Sequence, residues 1–256
     1  MSKDSDLNLT ESFERYFKVE LAYSDAQKMQ VYGVRYRVYC EEFKYEAVDL
    51  FPDLMEKDEY DQNSKHCLII HRQTGMPAGC VRLVPATGPL DVSPLPLEKY
   101  CKASLDTGYI ERLKLERSTA CEISRLAVDG AFRRRGGEKL TRFGEINGLY
   151  FSAKEQRSFS MIAVACFLAA TVLTEMDKRT NVFAMMEPFL PRMMHRSGID
   201  FHRVGKDVDY HGIRAPYFIT TQSALDNMHG ELLDLYGWIK QGLQVDACEA
   251  AKKLKL

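Results

Sequence analysis

The stretch Ser124-Arg-Leu-Ala-Val-Asp-Gly-Ala-Phe-Arg-Arg-Arg-Gly-Gly137 reads as a strand running into an Arg/Gly-rich turn that opens a helix. Backbone N–H groups at such a turn, with the positive end of the helix behind them, form a ready site for phosphate oxygens. The competing reading of Arg133, Arg134 and Arg135 is a solvated helix start, where positive charge is unfavourable to the dipole. Working outward, the strand covers residues 122–128 and the helix is predicted to run to about residue 154.

Upstream, residues 17–22 have strand character. Ser24, with Gln27 three residues later, signals a capped helix that Val31, Val34 and Val38 continue at core-facing spacing. Residues 48–63 are acidic and contain Pro52, which predicts a loop. The apolar runs 67–71 and 78–84, separated by Gln-Thr-Gly-Met-Pro, predict a hairpin. Pro85, Pro89, Pro94 and Pro96 open a variable insertion over 85–119.

Downstream, the pattern predicts an apolar helix over 161–178, a buried strand over 181–186 and a short helix over 188–196 closed by Gly198. Two strands, 201–204 and 217–221, flank a loop over 205–216, and an amphipathic helix covers 225–243. This order is a mixed sheet wrapped by helices, with no Gly-rich dinucleotide fingerprint, so a Rossmann fold is set aside. One domain is expected over 15–222, between a flexible start at 1–14 and a C-terminal helix and tail at 223–256.

In 256 residues, 35 Lys and Arg nearly cancel 36 Asp and Glu, so the whole-molecule field gives no reason to expect nucleic acid as a partner. Seven cysteines, an odd number without a C-x-x-C pair, read as reduced and mostly buried, and no metal site is expected. The N-terminal Met-Ser-Lys-Asp-Ser-Asp lacks the apolar core of a signal peptide. The most apolar run, 161–173, is shorter than the roughly 18 to 20 residues a membrane span needs. A cytoplasmic protein without a transmembrane segment is expected, with peripheral membrane contact left open.

The segment 124–137 resembles the acyl-donor loop of the GNAT acyltransferase superfamily, whose pattern is Arg or Gln, two residues, Gly, one residue, Gly or Ala. Arg133 and Gly136 match, and Glu138 stands where the second small residue would be. Glu138 crowds the pyrophosphate of coenzyme A, whereas the single phosphate of phosphopantetheine on an acyl carrier protein stays compatible. Arg135, Lys139 and Arg142 recur at helical spacing beside this turn, either as a dock for an acidic carrier protein or as an ordinary solvated face.

A second resemblance spans most of residues 15–220. The chain is similar to the acyl-homoserine lactone (autoinducer) synthases, to the N-acyl amino acid synthases and, above all, to the acyltransferases associated with exosortase protein-sorting systems. The shared pattern falls on Arg35, Tyr39 and Tyr45, on Asp58 and Asp61, on Arg82 within Gly-Cys-Val-Arg-Leu-Val-Pro85, and on Glu122 and Arg125. Tyr45 replaces the tryptophan usual in lactone synthases and the Pro-rich insertion is longer, which lowers the alternative of an S-adenosylmethionine-dependent lactone synthase. The run Val208-Asp-Tyr-His-Gly-Ile-Arg-Ala-Pro-Tyr217 resembles the exosortase-associated group.

The resemblance implies a GNAT-like α/β fold, a twisted mixed sheet splayed near Ser124 with helices on both faces. It implies an N-acyltransferase with no permanently bound cofactor, whose co-substrate is an acyl-phosphopantetheine thioester on an acyl carrier protein or coenzyme A. The donor would lie in the splay beside Leu126 and Val128 like an added strand, with its phosphate on Arg133, Arg134, Arg135, Gly136 and Gly137. A small-molecule amine, an amino acid or similar, would meet Arg35, Tyr39, Asp58, Asp61 and Arg82. Glu122 would act as base, with Ser124 and Arg125 on the catalytic strand. The remaining alternative is a non-catalytic acyl-thioester-binding module.

From the residues themselves, Arg35 and Tyr39 lie one helical turn apart and can share a cleft. Three arginines (35, 82, 125) and three carboxylates (58, 61, 122) are able to form one partly buried network, structural or functional. Residues three apart on a regular strand face opposite sides, so Glu122 and Arg125 meet only across a bulge near Ser124. His195, His211 and Arg214 are weaker candidates. The Met-rich run 184–186, with Met193 and Met194, reads as core or as the lining of an adaptable acyl tunnel.

Overall fold

Capping sets where the first elements begin. The structure, a computed structural model, describes residues 8–87, 94–133, 158–195 and 199–253. Asn8 and Glu11 form a reciprocal capping box that opens α1 (Leu9–Tyr16). The start expected to be flexible is therefore helical from Leu9. Phe13 holds it down, stacked on Phe17 at 5.0 Å and edge-on to Trp238 at 6.0 Å. After β1 (Phe17–Leu21), the predicted Ser24/Gln27 box opens α2 (Asp25–Arg35). The helix then widens into a π-helical turn, Tyr36–Glu42, a pitch change that the regular apolar spacing does not announce.

The hairpin forms as β2 (Lys65–His71) and β3 (Pro77–Pro85). The Pro-rich insertion holds the short helices α3 (Pro96–Tyr100) and α4 (Thr107–Arg112). There follow β4 (Ala120–Val128), α5 (Gly130–Arg133), α6 (Met161–Met176), β5 (Asn181–Met186) and α7 (Phe189–His195). The chain continues as β6 (His202–Arg203), β7 (Val208–Asp209), β8 (Ile213–Thr220), α8 (Thr221–Asp226) and α9 (Glu231–Lys253).

Two expectations change here. The loop expected over 205–216 contains β7, which pairs Val208 with Arg214 and turns back through His211 and Gly212, both at positive φ. The single helix expected over 225–243 is two, α8 and α9, separated at Gly230, whose φ of 59° belongs to the left-handed region. Most of the helix predicted over 132–154, and Gly198, lie outside the described residues.

The sheet runs β1-β2-β3-β4-β5-β8-β6, with β7 on β8, and is antiparallel except for β4 against β5. Alternation along β2 assigns its two faces. Cys67 and Ile69 enter the core with α6, while Leu68 and Ile70 pack with Val31, Val34 and Val38. Helix α6 is apolar nearly all round, as a helix covered on every side must be. It lies so close to β3 that a Cβ at Gly79 would stand 2.9 Å from Ile162 Cγ2 and 3.0 Å from the Ala127 carbonyl.

Two irregularities in β4 shape the site. Its ladder with β5 joins only Ala120 to Asn181, Cys121 to Val182 and Glu122 to Phe183. Beyond Glu122, β4 stays with β3 and β5 follows β8, so the sheet opens there. On the other side, Cys80 pairs with Ala127 but Arg82 with Ser124, which leaves one extra residue on β4. Arg125, at φ 51°, sits in this expected bulge.

Candidate active site

The bulge decides what the site contains. In a regular strand Arg125 would face α6. The extra residue instead brings its guanidinium to the side of β3 and β4 that carries Arg82 and Ser124.

There, a network of three arginines and three carboxylates forms, with one member unlike the expected set. Arg35 grips Asp61 through two nitrogens, at 2.6 and 3.0 Å, and donates its Nε to Glu56. Arg82 reaches Asp58 at 2.6 Å, Asp61 at 2.8 Å and the Ser124 hydroxyl at 3.1 Å. Arg125 donates to Glu56 at 3.2 Å and stands 3.3 Å from Asp58, its guanidinium 5.3 Å from the Tyr39 ring centre. The third carboxylate is thus Glu56, not Glu122.

Burial by itself would raise the carboxyls of Glu56, Asp58 and Asp61, yet the adjacent guanidiniums hold all three below their ordinary values. His66 stands 3.6 Å from Asp61. Burial, with Arg35 and Arg82 against the one attractive carboxylate, pushes it down to about 3, so it is neutral at pH 7.

Glu122 stands apart, at the point where β4 and β5 separate. It is buried, and its Oε2 accepts the Leu97 backbone N–H at 2.8 Å, an amide that the first turn of α3 leaves without an intrahelical partner. Burial pushes its carboxyl up to about 8, against the opposing pull of that amide and of Arg82 and Arg125. Near neutral pH this group exchanges a proton readily, as a general base requires.

The opening between the strands is a cavity of about 380 Å³. Glu122, Ser124, Arg125 and Tyr210 form part of its polar wall, and Phe167, Val182, Met186, Leu190, Phe201 and Ile219 part of its apolar wall. Met185 and Met186 of the Met-rich run line this cavity, while Met194 packs against the core. Thr171, Thr174 and Thr221 also line it, and the Thr221 hydroxyl bonds that of Thr174 at 2.9 Å.

The predicted residues divide between the wall and what lies behind it. Tyr39, Glu122, Ser124, Arg125, Leu126, Val128 and Arg133 line the cavity. Arg35, Asp58, Asp61 and Arg82 do not; they brace the wall from behind, with Arg35 and Arg82 at 0% and 1% exposure. The Leu126 carbonyl accepts the Tyr39 hydroxyl at 3.3 Å and the Val128 carbonyl accepts Arg133 Nε at 2.7 Å. Arg133 is also paired with Glu42. Arg134, Arg135, Gly136, Gly137, Glu138, Lys139 and Arg142 lie outside the described residues. His195 is exposed, pairs with Asp200 and does not line this cavity.

Sequence reasoning missed Glu56, Glu46, Tyr210 and the Leu97 amide. Glu56 belongs to the acidic run 56–61, where no spacing separates it from its neighbours. Glu46 stands 3.7 Å from Arg125 and 3.4 Å from His211. Burial, with Arg125 and Arg214 nearby, holds His211 down at about 4. Burial raises the Tyr210 hydroxyl to about 12, against the opposing pull of Arg125.

Residues 34–142 match the family described as acetyltransferase (GNAT) domain. No curated protein matches the sequence. Among solved structures, the AHL synthase LasI is similar over 84% of this chain and 98% of its own, at 18% identity and a TM-score of 0.54. The CoA-dependent acyl-homoserine lactone synthase MesI is similar over 88% and 95%, at 15% identity and 0.56. FeeM, an N-acyl amino acid synthase from uncultured soil microbes, is similar over 83% and 94%, at 8% identity and 0.50. At these identities the likeness is one of fold. With a GNAT domain matched over 34–142 and a sheet that parts beside a buried carboxylate, this chain has the GNAT acyltransferase fold.

Proposed function

We propose that the protein transfers a fatty acyl group from a phosphopantetheine thioester, on an acyl carrier protein or coenzyme A, to the amine of an amino acid or similar small acceptor. The observation that carries this reading is Glu122, a buried carboxyl with its pKa raised to about 8, in the wall of a largely apolar cavity. The cavity suits an acyl chain, and Glu122 takes a proton from the acceptor ammonium, directly or through one water.

The neutral amine then attacks the thioester carbonyl. In this reading a backbone N–H at the β4 bulge stabilises the oxyanion, the C–N bond forms, the C–S bond breaks, and the proton lost by the amine nitrogen passes to the departing thiolate. The donor's phosphate is assigned to Arg133 and to residues 134–137, which lie outside the described residues. The network of Arg35, Arg82, Arg125, Glu56, Asp58 and Asp61 holds Ser124 and Arg125 in position, which suits a preorganised wall. MesI, which shares the fold, is CoA-dependent, so coenzyme A is assayed beside the carrier protein.

The test incubates purified protein with dodecanoyl-coenzyme A or dodecanoyl-acyl carrier protein and each protein amino acid, measuring thiol release and N-acyl product by mass spectrometry. An N-acyl amino acid formed with stoichiometric thiol supports the proposal. Thioester binding without product from either donor points to a binding module instead. Arg133→Glu is expected to weaken donor binding, and unchanged donor affinity removes the phosphate assignment.

A further inference from the structure

We propose that Arg214 anchors the carboxylate of the acceptor, an inference resting on the reading above that the acceptor is an amino acid or close analogue. The other guanidiniums of the site are occupied. Arg35 and Arg82 are buried against Glu56, Asp58 and Asp61, Arg125 spans Glu56 and Asp58, and Arg133 holds Glu42.

Arg214 differs from all of these. It lines the same cavity as Glu122, Ser124, Arg125 and Tyr210, and among the described residues it forms no ion pair and donates no hydrogen bond. Its guanidinium rests 5.5 Å from the Tyr45 ring centre, and its Nε is shut off from solvent with no partner. A buried donor left unmatched costs free energy, and an anion bound at that place would offset the cost.

Its placement is fixed from both sides. Arg214 sits in β8, paired with Val208 of β7, and Tyr45 is held against His211 with ring centres 5.6 Å apart. Arg214 and Glu122 line the same cavity, together with Tyr210. An α-amino acid carries its ammonium and carboxylate on one carbon, and Glu122 and Arg214 offer one group for each in the wall of a single cavity. The planar fork of Arg214 suits a carboxylate better than a point charge does.

The test compares wild type, Arg214→Met, which keeps packing on Tyr45, and Arg214→Lys. Each is assayed with dodecanoyl donors, the best amino acid from the panel above and its carboxamide, after thermal denaturation confirms folding. In Arg214→Met the KM for the amino acid rises about 10- to 100-fold, the donor KM stays within about twofold, and preference for acid over amide is lost. Arg214→Lys recovers part of that preference.

An unchanged amino acid KM in Arg214→Met overturns this inference while leaving the proposed function intact. A rise in the donor KM alone assigns Arg214 to the donor and also overturns it. If the Met variant does not fold, wild type alone decides, because equal kcat/KM for acid and amide removes the anchor. Wild type that acylates no amino acid removes both proposals.

Discussion

The Leu97 backbone N–H donates to Glu122 Oε2 at 2.8 Å, so the buried carboxylate at the opening of the sheet is steadied by a neutral amide and, among the described residues, forms no ion pair with the arginine network, although Arg125 lies three residues along the same strand. A guanidinium in that place would lock the group as a carboxylate. The amide leaves it titratable near neutrality, and the following expectations begin there.

Activity should rise with pH through about 8, as Glu122 ionises and becomes able to accept a proton. Glu122→Gln should flatten that limb and lower kcat/KM on the order of 100-fold. A pH profile of kcat/KM that keeps the same limb in the Gln variant would falsify the role of base.

Stability should move the other way. The folded pKa of Glu122 lies above its ordinary value of 4.5, so its contribution is fully present below about 4.5 and is lost as pH rises through about 8. Glu122→Gln removes that loss. Relative to wild type, it should gain stability progressively between about pH 4.5 and 8, up to a few kcal/mol. Urea denaturation of both proteins at pH 5, 7 and 9 measures this, and parallel curves contradict it.

Asp61 accepts hydrogen bonds from Arg35, Arg82 and the Asp58 amide, so Asp61→Asn leaves two buried guanidiniums short of charge. The cost should be about 3–5 kcal/mol near pH 7. The Asp61 pKa is depressed, so its contribution is present above the ordinary value of 3.8 and fades as pH falls below it. The difference between variant and wild type in chemical denaturation should shrink in acid. A difference constant down to pH 3 would show that charge is not its source.

Arg125 combines a left-handed backbone with ion pairs to Glu56 and Asp58. Arg125→Ala loses the pairs and keeps the strain, whereas Arg125→Gly loses the pairs and relieves the strain. The Gly variant should be the more stable by about 1 kcal/mol. Both should lose activity on the order of 100-fold, as the wall of the cavity loses its charge. Equal stability of the two variants means that the positive φ carries no cost.

Gly79 tests the packing of α6 on the sheet. An alanine there meets Ile162 Cγ2 and the Ala127 carbonyl near 3 Å, and a backbone carbonyl does not step aside easily. Gly79→Ala should destabilise by about 1–3 kcal/mol in thermal or urea unfolding. A neutral result indicates that α6 can shift outward.

Much of the architecture was legible because it follows from short-range rules. Ser24 and Gln27 announce α2, and the apolar run 67–71 announces β2. The bulge was expected if Glu122 and Arg125 were to meet; it forms, although Glu122 stands outside the network. The π-helical turn at Tyr36–Glu42 was not legible, because an apolar spacing of three and four fits either pitch. Nor was the break at Gly230, since a glycine within an apolar pattern is tolerated as often as it terminates a helix.

The site shows where the limit lies. Residue types and their order established that arginines and acids meet at a strand with one residue too many, since strand alternation is a property of the chain alone. Partner choice is a matter of distance through space, across separations such as 26 residues from Arg35 to Asp61 or 69 from Glu56 to Arg125. Only the packed structure sends Glu56 to Arg35 and Arg125, gives Glu122 to an amide and leaves Arg214 facing the cavity alone. Burial and Coulomb energy depend on the surroundings that folding brings together, and neither is written in any local stretch of sequence.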